Sequence, residues 1–192
     1  MNKTDTLTLV DRPVPTAAWV QRLQHRNRSP VPGLWALLDA VKDPEVPALS
    51  LWDLGVLRDI EQQDNGCIRV VISPTYSGCP ALEAMRADII STLQQAGHPE
   101  VEVHTALSPA WSTEALSPQG HEQLRAYGIA PPRHCQGCSV PELTPESGIT
   151  CPRCGSDDTH RISEFGSTAC KALFQCSLVE PCSNSSAVRS RQ

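Results

Sequence analysis

Apolar residues recur on helical and strand periods through the first two thirds of the chain. Leu34, Leu37, Leu38 and Val41 fall at i, i+3, i+4 and i+7, which predicts a core helix ended by Pro44. Ahead of it, Trp19, Val20 and Leu23 line a short helix from Thr16 to about His25, and Arg26-Asn27-Arg28-Ser29-Pro30-Val31-Pro32-Gly33 breaks it. Val56 to Glu61 and Cys67 to Ile72 read as strands, and Asn65-Gly66 between them signals a hairpin because both turn residues tolerate positive φ. Leu82, Met85, Ile89, Leu93 and Ala96 then return at helical spacing, predicting a helix from Pro80 to Ala96 that Gly97 stops. A third strand is expected around Val101 to Leu107 and a short helix from Pro118 to Ala126, with Trp111 covering the core. The order α-β-β-α-β describes a small two-layer α+β domain.

Beyond Gly128 and Pro131-Pro132 this patterning stops and cysteines take over. The chain therefore divides into a tail and short helix over 1–33, the α+β domain over 34–127, a linker over 128–134, a zinc-ribbon-like module over 135–182, and a polar tail over 183–192 expected to be disordered. At 192 residues there is room for one sizeable core and a small accessory module. A net charge of −5 offers no broad basic surface, so no nucleic-acid partner is expected, and Arg26 and Arg28 read as a solvated linker. No apolar run approaches a membrane span, and residues 1–11 carry no apolar signal region. We expect a cytoplasmic protein with reduced thiols available to metals.

Those thiols carry most of the candidate chemistry. Of the nine cysteines, Cys135 and Cys138 form one C-x-x-C knuckle and Cys151 and Cys154 another, followed by Cys170, Cys176 and Cys182. Two residues between thiolates let both reach one tetrahedral ion, and a second pair closes the site, so structural zinc is expected. A closed four-sulfur site would serve to fold a segment too poor in apolar residues to fold alone. The set is either Cys135, Cys138, Cys151 and Cys154, or Cys151, Cys154 and Cys176 with a further ligand, or two sites. His134 and His160 are candidate substitutes.

Cys79 lies apart from these, in Ser73-Pro74-Thr75-Tyr76-Ser77-Gly78-Cys79-Pro80, where a strand gives way to a helix. With Pro80 at the first helical position, Cys79 is expected at or beside the N-cap, facing free amides that would depress its pKa. It reads in one of three ways: as a buried small hydrophobe, as a nucleophile for which no base is evident, or as a thiol that holds a soft metal or iron–sulfur cluster transiently. The third reading includes a cluster bridging two copies in a homodimer. Asp43 and Glu45, set across Pro44, present either a rigid carboxylate pair or a solvated turn that stops the helix.

Four stretches together resemble the PaaD family, the D components of phenylacetyl-CoA epoxidase systems in aerobic phenylacetate degradation. They are Asp43-Pro44-Glu45-Val46-Pro47, Asp53-Leu54-Gly55, Pro74-Thr75-Tyr76-Ser77-Gly78-Cys79-Pro80 and Ile162-Ser163-Glu164-Phe165-Gly166-Ser167-Thr168-Ala169-Cys170-Lys171-Ala172-Leu173. The first domain also resembles the SufT-like domain of iron–sulfur maturation factors. The resemblance implies an accessory protein that helps assemble a metal or iron–sulfur centre for the epoxidase subunits, especially the iron–sulfur reductase component. It implies Cys79 as the reactive or cluster-holding thiol with Asp43, Glu45 and Thr75 around it, and zinc in the tail. The sequence departs from the family pattern at Val179, where a cysteine is expected with two residues between it and Cys176, which makes Cys182, or Cys135 and Cys138, the replacement ligands. A zinc-dependent scaffold and a thiol-dependent enzyme are the alternatives.

Overall fold

The computed structural model describes residues 14–132, 149–168 and 170–178, and the backbone of 185–188. Its first part contains helices α1 (Ala17–Arg28), α2 (Pro32–Leu38), α3 (Leu51–Leu54), α4 (Leu82–Gln95) and α5 (Pro118–Ala126), with strands β1 (Leu57–Gln62), β2 (Ile68–Ile72) and β3 (Val101–Thr105). β2 is central, antiparallel to β1 and parallel to β3, and α4 is the crossover that a parallel pair requires. The hairpin turn between β1 and β2 has Gly66 at φ +85°, and Asn65 Oδ1 accepts a bond from Cys67 N.

Ile68, Val70 and Ile72 of β2 are buried on alternate positions, and Met85, Ile89 and Leu93 of α4 are buried at helical spacing. These belong to one hydrophobic core that also takes in Leu34, Trp35 and Leu38 of α2. Arg86 fastens α4 to β3 through Val103 O at 2.9 Å and Thr105 Oγ1 at 2.6 Å. The α+β class and its α-β-β-α-β order are therefore present, with α3 inserted before the hairpin.

The boundaries differ where local contacts override pattern. α2 ends at Leu38, well before Pro44, because a tighter turn closes it with Ala40 N bonded to Leu37 O and Val41 N to Leu38 O. Leu51–Leu54 is too short to show periodicity. It forms because Ser50 Oγ caps Asp53 N and Gly55 ends it at φ +83°, where an added Cβ would stand 2.7 Å from Ala115 Cβ. Asp53 also accepts from Ser117 Oγ at 2.6 Å, so Asp53-Leu54-Gly55 serves as a junction between α3 and the start of α5.

Of the two arginines expected to be solvated, Arg28 is exposed and Arg26 is not. α1 runs on to Arg28, and Arg26 pairs with both oxygens of Asp39 at 2.8 and 2.6 Å while lying over Trp52. Arg22 donates to the carbonyls of Ala115, Trp52 and Leu57. Burial, then Arg58 and Arg26 against the opposing pull of Asp53, lowers its pKa to about 10. Trp52 lies between Trp19 and Trp35, with ring centroids 5.2 and 5.3 Å away.

The cysteine-rich part forms a second sheet, ordered β4 (Ile129–Ala130), β7 (Ser185–Val188), β6 (Lys171–Cys176) and β5 (Thr159–Ser163). β5 and β6 pair antiparallel, with Thr159 opposite Cys176. Its apolar cluster is small, comprising Ala130, Ile149, Ala172 and Phe174. Among the described residues, no helix is long and apolar enough to cross a membrane.

Candidate functional site

Asp43 is buried, and its place follows from a local accounting of hydrogen bonds. The chain beyond α2 leaves backbone donors that Pro44 cannot satisfy, and Asp43 Oδ1 accepts from Glu45 N at 2.9 Å and Val46 N at 2.7 Å. Asp43 N in turn bonds Leu49 O at 2.9 Å. The expected solvated turn is thus a buried clamp, and it fixes the direction in which Glu45 leaves the domain. Burial raises the Asp43 pKa; the two amides and Lys171 work against that rise, and Glu45 adds to it.

Glu45 meets the second sheet. Cys170 Sγ donates to Glu45 Oε2 at 3.2 Å, and Thr168 Oγ1 lies 3.0 Å from the same sulfur. Cys170 is half-buried in the β5–β6 connection, where Gly166 N bonds Lys171 O at 2.7 Å and Lys171 N bonds Thr168 O at 3.2 Å. Burial raises the Cys170 pKa to about 11; the Thr168 bond lowers it, while Glu45 raises it through both its hydrogen bond and its charge. No spacing rule singles out Cys170. In the sequence it falls outside both C-x-x-C knuckles, and its place in the stretch Ile162–Leu173 that carries the family resemblance is the signal that could have marked it.

Cys79 is half-buried against the main core, in a turn that precedes α4. Its N–H bonds Tyr76 O at 3.1 Å and its carbonyl accepts from Leu82 N at 3.2 Å. α4 begins at Leu82 with Ala81 as N-cap, so Pro80 lies ahead of the helix and Cys79 two residues before the cap. Backbone amides do reach the thiol, for those of Ala81 and Leu82 both act to lower its pKa. The net shift nonetheless runs opposite to expectation. Burial raises the Cys79 pKa and outweighs the amides, and the charges of Glu45 and Asp43 push the same way. At rest this is a protonated thiol.

Asp43 and Glu45 therefore lie within electrostatic reach of Cys79, and the tail contributes Cys170. Thr75 lines an open cleft of about 140 Å³ with Tyr76, Leu107 and Trp111. Trp111 is buried, as expected, and its Nε1 donates to Leu54 O at 3.0 Å.

The ribbon carries a separate cluster. Cys151, Cys154 and Cys176 hold their sulfurs within 4.8 Å of one another, and Cys154 Sγ lies 3.6 Å from Cys176 Sγ. Two thiolates on one tetrahedral zinc would stand about 3.8 Å apart, so this donor set fits the ion. The knuckle folds through Cys151 N to Ser156 O at 2.8 Å and Gly155 N to Cys151 O at 2.9 Å, with Gly155 at φ +75°. The Leu178 amide lowers the Cys176 pKa, but burial and the thiols of Cys154 and Cys151 leave it raised. Cys135, Cys138, His134 and Cys182 lie outside the described residues. His160 stands apart from the cluster, 3.1 Å from Gln175 Oε1. Cys151, Cys154 and Cys176 therefore form a cluster whose sulfurs could hold a metal ion.

Known proteins show the same division. Residues 34–105 match the family described as iron-sulfur cluster assembly protein, and residues 136–184 match the PaaD zinc beta ribbon domain. An Escherichia coli (strain K12) protein named as the putative D component of 1,2-phenylacetyl-CoA epoxidase is 44% identical over 157 residues, 82% of this chain and 92% of that one. The Fe-S protein maturation auxiliary factor YitW of Bacillus subtilis (strain 168) is 29% identical over 83 residues, 42% of this chain and 78% of its own. A crystal structure of a domain of unknown function, DUF59, from Bacillus anthracis is 26% identical with a TM-score of 0.45, covering 55% of this chain and 95% of that chain. With both modules matched in the same order and this identity maintained over 92% of the Escherichia coli relative, the chain belongs to the PaaD family, the D components of phenylacetyl-CoA epoxidases.

Proposed function

We propose that this chain is a cytoplasmic accessory factor for a multicomponent phenylacetyl-CoA epoxidase, and that Cys79 receives iron or an iron–sulfur cluster as cargo for a client protein. The client is the epoxidase component that carries an iron–sulfur centre, its reductase. The observation that carries this reading is the half-buried Cys79 thiol with Asp43 and Glu45 in electrostatic reach. Such a thiol is a poor nucleophile, since little of it is ionised near neutrality, and this weighs against a thiol-dependent enzyme. The same surroundings suit a thiophilic cation. Its charge would be balanced by the carboxylates, and the thiol proton would leave to solvent as it binds. Competition from that proton keeps binding reversible, as cargo transfer requires.

In the ribbon, Cys151, Cys154 and Cys176 would hold zinc. The ion would supply cross-linking of the knuckle to the end of β6, compensating for an apolar cluster of four side chains among the described residues. The ribbon and the Cys79 region then have separate tasks.

The test is the iron–sulfur content of the epoxidase reductase from cells whose copy of this chain carries Cys79→Ser. Depleted clusters with normal reductase protein are expected. A fully loaded reductase would sink the proposal.

A further inference from the structure

Cys170 has no task in the ribbon's metal cluster. It precedes β6 while Cys176 ends it, and six residues of strand separate them by about 20 Å, so both cannot bind one ion. Its surroundings also differ from those of a sulfur that merely fills space. It sits in a tight turn, half-buried, with its thiol directed to a carboxylate of the other module, at 3.2 Å from Glu45 Oε2. Glu45 is itself held in direction by the Asp43 clamp on its backbone.

Glu45 therefore has two thiols in its vicinity, Cys170 in direct contact and Cys79 within reach of its charge. The Glu45 carboxylate thus bonds one thiol and lies within charge reach of another from a separate element; these three donors are not gathered within 4.8 Å of one another as the ribbon sulfurs are, so binding would draw them together around ferrous iron or an iron–sulfur cluster, which prefer thiolate over oxygen alone. Buried Lys171, beside Asp43, offsets part of the negative charge that such binding creates.

We propose that Cys170 is the second thiol of the Cys79 site, so that the iron-handling site is built from both modules, with Glu45 as its oxygen donor. This rests on the reading of Cys79 given above and extends it: the ribbon completes the site as well as docking a client. Binding of ferrous iron, or of a ready-made cluster, displaces the thiol protons of Cys79 and Cys170 to solvent, and no electron changes hands. Release to a client breaks the contacts of both modules together, which makes movement of the ribbon the step that frees cargo.

The test is maleimide modification of the full chain, its ribbon already loaded with zinc, followed residue by residue by mass spectrometry under anaerobic conditions. The probes are ferrous iron alone and a preassembled iron–sulfur cluster carried on glutathione. Either is expected to slow modification of both Cys79 and Cys170 by at least about tenfold. Protection of Cys170 should vanish in Cys79→Ser, and protection of Cys79 in Cys170→Ser. Protection by iron alone identifies an ion, and protection only by the preassembled cluster identifies a cluster. If Cys79 remains protected in Cys170→Ser, the composite site is wrong although Cys79 still handles iron. If neither probe protects Cys79 in the wild type, the functional reading fails as well. Should Cys170→Ser lose its zinc, Glu45→Gln decides the matter, since both thiols remain; an unchanged iron midpoint in that variant overturns the proposal.

Discussion

The Cys170 thiol donates a hydrogen bond to Glu45 Oε2 at 3.2 Å, across 125 positions of sequence. This contact joins the ribbon to the α+β domain beside the Asp43 clamp, and the charges of Glu45 and Asp43 reach Cys79. Its consequences can be measured.

The first is a pH effect. The Cys170 pKa is raised to about 11 from 9.0, so the folded protein holds this proton more tightly than the unfolded chain does. The associated stabilisation is fully present below pH 9.0 and is lost as pH rises through about 11. In protein free of iron but with zinc in its ribbon, Cys170 at pH 8 should react with iodoacetamide about a hundredfold more slowly than an ordinary thiol, with an inflection near 11. An inflection below 9.0 would contradict the assignment.

The Asp43 clamp separates shape from charge. Asp43→Ala removes the acceptor of two buried amides and should cost about 2 kcal/mol in denaturant unfolding. Asp43→Asn keeps an oxygen there and sheds a carboxylate whose ionisation burial disfavours, so its cost should stay under about 1 kcal/mol. Equal losses in the two variants would show that the charge itself holds the turn.

Arg22 tests whether α1 is integral to the fold. Its guanidinium serves three backbone carbonyls and lies over Trp52 at 4.2 Å. Arg22→Ala should destabilise the protein by about 2 to 3 kcal/mol, and Arg22→Lys should recover little because one ammonium cannot span that fork. Thermal unfolding followed by tryptophan fluorescence reads both.

In the ribbon, Cys154→Ser and Cys176→Ser should each weaken zinc binding by more than about a hundredfold. Proteolysis should then cut the cysteine-rich segment while the core around β2 and α4 survives. Concerted loss of both modules would mean that the ribbon metal supports the whole chain.

Much of this organisation is legible in the sequence, for physical reasons that can be named. The hairpin follows from Asn65-Gly66, α4 from Met85, Ile89 and Leu93, and the metal cluster from Cys151-Pro152-Arg153-Cys154. These are local signals. The sense of the Cys79 shift is not legible, because the amides of Ala81 and Leu82 are encoded nearby whereas burial and the Glu45 charge come from the folded arrangement. Arg26 likewise reads as a solvated charge until Asp39 and Trp52 are brought beside it. No local spacing marks Cys170 as a site residue, since its partner, Glu45, belongs to the other module.

Cys79 is proposed to handle iron while a separate set of cysteines holds zinc. Iron, zinc and acid-labile sulfide measured in anaerobically purified protein, wild type against Cys79→Ser, test this division most directly. The expected result is iron and sulfide lost in the variant with zinc unchanged. Iron and sulfide retained at the wild-type level would contradict it.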